Sequence, residues 1–280
     1  MFPVRSGKWF GSRRLPRPEE DLEDQGLSFD VATLLERRRV LSLIGLGAAA
    51  FSLAACEAAT TAGAASSSGL EEVPQETAGP FPGNGSNGPD VLQESGILRS
   101  DIRSSFGTGS ATADGVPMTL ELTILNVADG TPLAGAAVYV WHCDRDGNYS
   151  LYSDGVENEN YLRGAQVADD EGRVRFTSIF PACYSGRWPH VHFEVYPDQE
   201  SITEPANAIA VSQVALPQDV CEAAYASRGY ERSVRNMATL SLETDMVFGD
   251  DGGASQLAAV TGDAASGYVV ELTAGVDPTR

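Results

Sequence analysis

Between residues 116 and 273 the sequence predicts an all-β fold, an antiparallel β-sandwich with one or two short helices. Two observations carry this. Apolar runs of strand length recur with turn signals between them, and long patterns of 3.6-residue period are scarce. The elements follow in order. Met118–Leu125 alternates polar with apolar residues, as a strand with one solvated face does. The turn residues of Ala128–Pro132 lead to Ala137–Trp141, apolar throughout, and Asp169–Gly172 turns the chain into Val174–Thr177. Val191–Val195 and Ala210–Val214 are further strands, a helix opens near Pro217 and runs to Tyr225 with acid in its first turn, and Gly267–Thr273 alternates again. About 200 residues suffice for one buried core, so residues 76–280 are expected to form one domain.

The N-terminal part is read separately. Residues 1–36 are a mixed-charge extension expected to be disordered. Residues 37–55 place Arg37-Arg38-Arg39 before a short, Gly- and Ala-rich apolar run, the composition of a signal peptide rather than a membrane span. The consecutive arginines suggest the twin-arginine route, and Leu53-Ala-Ala-Cys56 resembles a lipobox, which makes Cys56 the expected lipidation site. Residues 56–75, small and polar, are expected to be a flexible tether. The expected location is the cell envelope or the exterior, with any membrane association supplied by lipid at Cys56.

The formal charge of the chain is −20, while residues 1–55 hold 8 Arg or Lys and 7 Asp or Glu, so essentially all the excess acid lies in the exported part. Such a surface repels nucleic acid and anionic membrane. Beyond Cys56 the cysteines are Cys143, Cys183 and Cys221, an odd number for an oxidising compartment; one disulfide with one thiol left over is the simplest expectation, with all three pairings open.

Chemistry concentrates in Phe180–Phe193, where Tyr184, Arg187, His190 and His192 lie within a few residues of one another, in a chain with three histidines in all. On a strand, His190 and His192 point the same way and can share one metal ion. A His-x-His pair by itself is more often solvated than metal-binding, but Tyr149, delivered by a loop just beyond Trp141, supplies a second phenol. Phenolate is a hard anionic donor, better matched to ferric iron than to zinc.

Residues 132–193 resemble the intradiol ring-cleavage dioxygenases, the protocatechuate and catechol dioxygenase family, and the compact Tyr184–His190 stretch looks closer to a secreted, single-domain branch of it. The resemblance implies a mononuclear non-haem Fe(III) held by Tyr149, Tyr184, His190 and His192. It implies that Tyr184 leaves the metal and takes a proton when a diol binds, that Arg187 lies over the substrate ring, and that Gln213, in the strand that follows, holds the carbon skeleton or oxygen. The implied reaction opens a catechol-type diol between its hydroxyl-bearing carbons with O2, giving a muconate-type dicarboxylate. Glu76–Gly83 is similar to a segment that lies across the active-site mouth in that family; the alternative is a rigid surface loop. For Arg187 the alternative is a surface salt bridge, and for Gln213 a structural hydrogen bond. The competing reading of the whole chain is a transthyretin-like or carboxypeptidase-regulatory-like binding module on the cell surface, which shares the turn and strand pattern but has no need of Tyr149, His190 and His192 together.

Overall fold

The computed structural model describes residues 69–280 and, outside them, the backbone of a two-residue pair, β1 (Trp9–Phe10) and β2 (Arg13–Arg14). The expectations for the signal segment, for Cys56 and for most of the tether lie outside the described residues.

Two four-stranded sheets face one another. One has the order β6 (Arg173–Ile179), β3 (Pro117–Asn126), β10 (Gly267–Val276), β9 (Ala259–Asp263); the other has β5 (Arg163–Val167), β4 (Ala137–Trp141), β7 (His190–Tyr196), β8 (Ala210–Ala215). The burial patterns of β3 and β10 alternate over most of their length, as their sequences require. The inward residues Met118, Leu120, Leu122, Ile124, Phe176 and Val270 meet Val138, Val140, Val191, Phe193, Val195 and Val214 from the opposite sheet. This is the main core.

Three expectations need correction. The sandwich is not wholly antiparallel, because β10 pairs with β3 in parallel from Tyr268↔Met118 to Val276↔Asn126. Alternation fixes a strand's faces but not its direction, and the long chain between these two strands supplies the crossover that a parallel pair needs. Packing also begins before residue 76: Val73 is buried in the core and donates its N–H to the carbonyl of Gly275 at 2.9 Å. Finally, Cys143, Cys183 and Cys221 are all free and buried, so no disulfide forms among them. They pack as small apolar side chains. Burial, followed by the charge of Asp245, pushes the Cys183 thiol up to about 12, far from a reactive thiolate.

Among the described residues two α-helices pack on the main core. α1 (Gln218–Tyr225) starts after Pro217 with Asp219 in its first turn and buries Cys221, Ala224 and Tyr225. α2 (Glu231–Met237) is only seven residues long, and its Ser233 hydroxyl accepts the N–H of Cys183 at 3.1 Å.

His142, the third histidine, has a structural role. Its Nδ1–H donates to the Cys143 carbonyl at 2.7 Å, and its Nε2 accepts from the Ser178 hydroxyl at 2.7 Å. Burial holds its pKa down at about 4. The unfolded chain therefore binds more protons between pH 4 and 6.5, and this residue's contribution, full above pH 6.5, is lost as pH falls towards 4, about 3 kcal/mol in all. Denaturant titrations of His142→Gln are expected to show a shallower fall in stability over that interval than wild type; an unchanged slope would contradict the assignment.

Candidate metal centre

The second sheet is buried on both faces. Val191, Phe193 and Val195 of β7 enter the main core, while His190, His192, Glu194 and Tyr196 point the other way, under loops. That outer face is covered by Phe81, Val91, Leu92 and Ile97 from the N-terminal segment and by Tyr149 and Tyr152 from the loop after β4. The site therefore lies between sheet and loops, outside the sandwich core.

A single row of registered residues crosses this sheet: Arg163 of β5 opposite Trp141 of β4, Trp141 opposite His192 of β7, and His192 opposite Gln213 of β8. Cross-strand partners share a face. Trp141 stacks on the His192 imidazole with centroids 4.7 Å apart and planes inclined by 4°, which fixes the ring. His190 is fixed by its other nitrogen. Its Nδ1 lies 2.5 Å from the carbonyl of Trp188, which can only accept, so the proton is on Nδ1 and the Nε2 lone pair faces the site. The two Nε2 atoms are 3.1 Å apart, with the rings crossing at 81°. Two ligands bound at about 2.0–2.1 Å and at right angles to one another on a single ion would stand about 3 Å apart.

Both tyrosines reach this point. The Tyr184 hydroxyl is 3.4 Å from His190 Nε2, and the Tyr149 ring meets Tyr184 edge-on at 5.9 Å and His192 at 6.4 Å. The Tyr149 hydroxyl is buried, makes no hydrogen bond of ordinary geometry, and has Tyr184 as its strongest polar neighbour. Burial, with Tyr184 next, raises its pKa well above the usual phenol range. Burial lowers the pKa of His190 to about 3, with Arg187 adding to the effect, and that of His192 well below normal, with His190 adding to it. Both imidazoles are thus neutral near pH 7 and keep their lone pairs. Among the described residues no group of three or more His, Cys, Asp or Glu could hold a metal, so a metal here depends on the phenols. Two imidazoles and two phenols form a hard, partly anionic donor set that fits a ferric ion.

Arg187 is buried rather than on the surface. Its Nε donates to Asp245 Oδ2 at 3.0 Å and its Nη2 to Gln213 Oε1 at 2.6 Å and Asp245 Oδ1 at 3.4 Å. Gln213 Nε2 donates in turn to the Thr77 carbonyl at 3.1 Å, which ties Arg187 to the segment 76–83. That segment lies against His192 and Tyr149. A Cβ on Gly79 would stand 3.4 Å from His192 Cε1, and Phe81 packs on Tyr149 with centroids 4.9 Å apart. Asp245 escaped the sequence reading. An aspartate after a short polar turn has no signal that separates it from a solvated one, and its partner is 58 residues away.

The residues gathered here coincide with what the chain is similar to. A family model described as Dioxygenase matches residues 87–200, a span that contains Tyr149, Tyr184, Arg187, His190 and His192. Over that span the chain is similar to the dioxygenase family that the model describes. Among curated relatives, chlorocatechol 1,2-dioxygenase of Rhodococcus opacus is 34% identical over 91 residues, covering 28% of this chain and 35% of its own length. Catechol 1,2-dioxygenase of Pseudomonas sp. strain EST1001 is 38% identical over 71 residues, covering 25% and 23%. The chain thus spans about a third or less of these relatives' length. An intradiol ring-cleavage dioxygenase structure from Tetranychus urticae superposes with a TM-score of 0.59 at 21% identity, over 75% of this chain and 96% of that one, which shows a shared fold.

Proposed function

We propose that this protein is a non-haem Fe(III) intradiol dioxygenase that opens catechol-type diols with O2. The observation that carries the reading is the convergence of Tyr149, Tyr184, His190 and His192, with the two Nε2 atoms 3.1 Å apart. Bound ferric iron would supply a Lewis acid able to chelate both diol oxygens. The chain's residues divide the remaining work. Tyr149 is 1% exposed and Tyr184 8%, so Tyr184 is the phenolate better placed to give way to an incoming diol and to take one of its protons on Oη. His190, held by the Trp188 carbonyl, and His192, held by Trp141, keep a fixed frame. The charge of Arg187 is felt at Tyr149, His190 and His192, and a fixed guanidinium there offsets negative charge that builds on the substrate ring. Gln213 holds that guanidinium in place.

The proposal extends to location: the chain is exported, with lipid at Cys56 as its membrane anchor.

The test is direct. Purified protein loaded with ferric iron is expected to show a tyrosinate charge-transfer band in the visible, to consume one O2 per catechol and to place both labelled oxygen atoms in a muconate-type product. A preparation that stays colourless after iron loading would favour the binding-module reading, and a semialdehyde product would overturn the intradiol chemistry. Arg187 is best probed in an Asp245→Asn background, where Arg187→Met removes the cation without stranding a buried carboxylate; turnover is expected to fall more than iron content.

A further inference from the structure

We infer that Arg163 is a positioning residue that sets the Tyr149 loop and the segment over the metal ligands with one guanidinium. The inference rests on the function proposed above. Arg163 lies at the end of the registered row that contains Trp141 and His192, and it is 1% exposed. Its Nε donates to Ser150 Oγ at 3.1 Å and its Nη2 to the Ser150 carbonyl at 2.9 Å. Ser150 follows Tyr149 directly. Nη1 donates to the Pro82 carbonyl at 3.0 Å and to the Tyr139 hydroxyl at 3.1 Å, and that hydroxyl itself donates to Pro82 at 2.8 Å.

Two loops that meet at the ligands are therefore clamped by one side chain. On one side, Tyr149 has its own N–H bonded to Ser153 Oγ at 2.8 Å, so the backbone is held before it by Ser153 and after it by Arg163. On the other, Pro82 follows Phe81, whose ring packs on Tyr149. Gly83 has φ +63°, and a Cβ there would stand 2.8 Å from Nη1, so this position requires glycine for the guanidinium to approach. The planar fork is what makes one residue sufficient. Lysine, with a compact head and no fixed fork, could serve one loop but not both. Leu151, just beyond, has φ +73°, a left-handed conformation costly for a leucine that persists only where neighbouring bonds over-determine it.

Arg163→Met keeps most of the side-chain volume and removes every donor. In metal-free protein, amide exchange is expected to rise about tenfold or more at residues 149–153 and at Phe81, Gly83 and Asn84, since charge-assisted hydrogen bonds are lost there, with little change in β3 and β10. In iron-loaded protein, Arg163→Met is expected to retain iron but lose the share of the visible band that Tyr149→Phe removes, and the double variant should lose nothing more. Arg163→Lys should recover part of the band. Should Arg163→Met fail to fold, Ser150→Ala removes one acceptor and is expected to move both signals the same way by less. Wild-type exchange in the two loops, or a wild-type band at full iron content, would overturn the inference. If wild type itself takes up no ferric iron, the proposed function fails, and Arg163 is then judged on the exchange data alone.

Discussion

Asp245→Ala is expected to destabilise the domain by about 3–5 kcal/mol, the cost of leaving a buried charge without its partner. The Asp245 carboxylate accepts from Arg187 Nε at 3.0 Å and from the backbone N–H groups of Trp188, Val247 and Phe248 at 2.7, 2.8 and 3.1 Å. Burial pushes its pKa up, but the Arg187 cation and these hydrogen bonds outweigh burial and hold it below the usual carboxylate range. Alanine removes all of them. The loop at 245–248 loses its anchor and Arg187 keeps an uncompensated charge. Because Trp188 positions His190 through its carbonyl, loss of Asp245 should also loosen His190. Chemical denaturation at pH 7 checks this, and a loss below about 1 kcal/mol would mean that the pair behaves as a solvent-screened one.

Tyr149→Phe is expected to do the opposite to stability while removing function. The hydroxyl is buried with no hydrogen bond of ordinary geometry, beside Phe81, so its loss from metal-free protein should be neutral or stabilising by up to about 1 kcal/mol. In iron-loaded protein the proposed function makes the same change the loss of an anionic ligand. The visible band should weaken and shift, and turnover of a catechol should fall by at least about a hundredfold, or ~2.7 kcal/mol. A residue kept for packing would show the reverse pattern. Thermal unfolding of the metal-free variant alongside its iron-loaded spectrum separates the two.

Much of this was legible in the sequence because it depends on short-range periodicity. The alternation in Met118–Leu125 and Gly267–Thr273 marks strands with one solvated face, since it follows from how side chains leave the backbone, and Pro217 with acid in the turn after it marks the opening of α1. His190 and His192 could be placed on one face for the same reason, and the structure brings Tyr149 and Tyr184 to them. What the sequence by itself determined was the strands, the faces they bury and the four side chains, Tyr149, Tyr184, His190 and His192, that the structure brings together. The tertiary structure decided the rest: the parallel direction of β10 against β3, the burial of Cys143, Cys183 and Cys221 as free thiols, and the partners of Arg187 and Arg163. Arg187 meets Asp245 across 58 residues and Arg163 meets Pro82 across 81, and nothing in a local pattern records such pairs. A charged side chain reads the same in sequence whether water or a distant carbonyl will satisfy it. Only closure of the sheets and loops removes the water and makes one partner necessary.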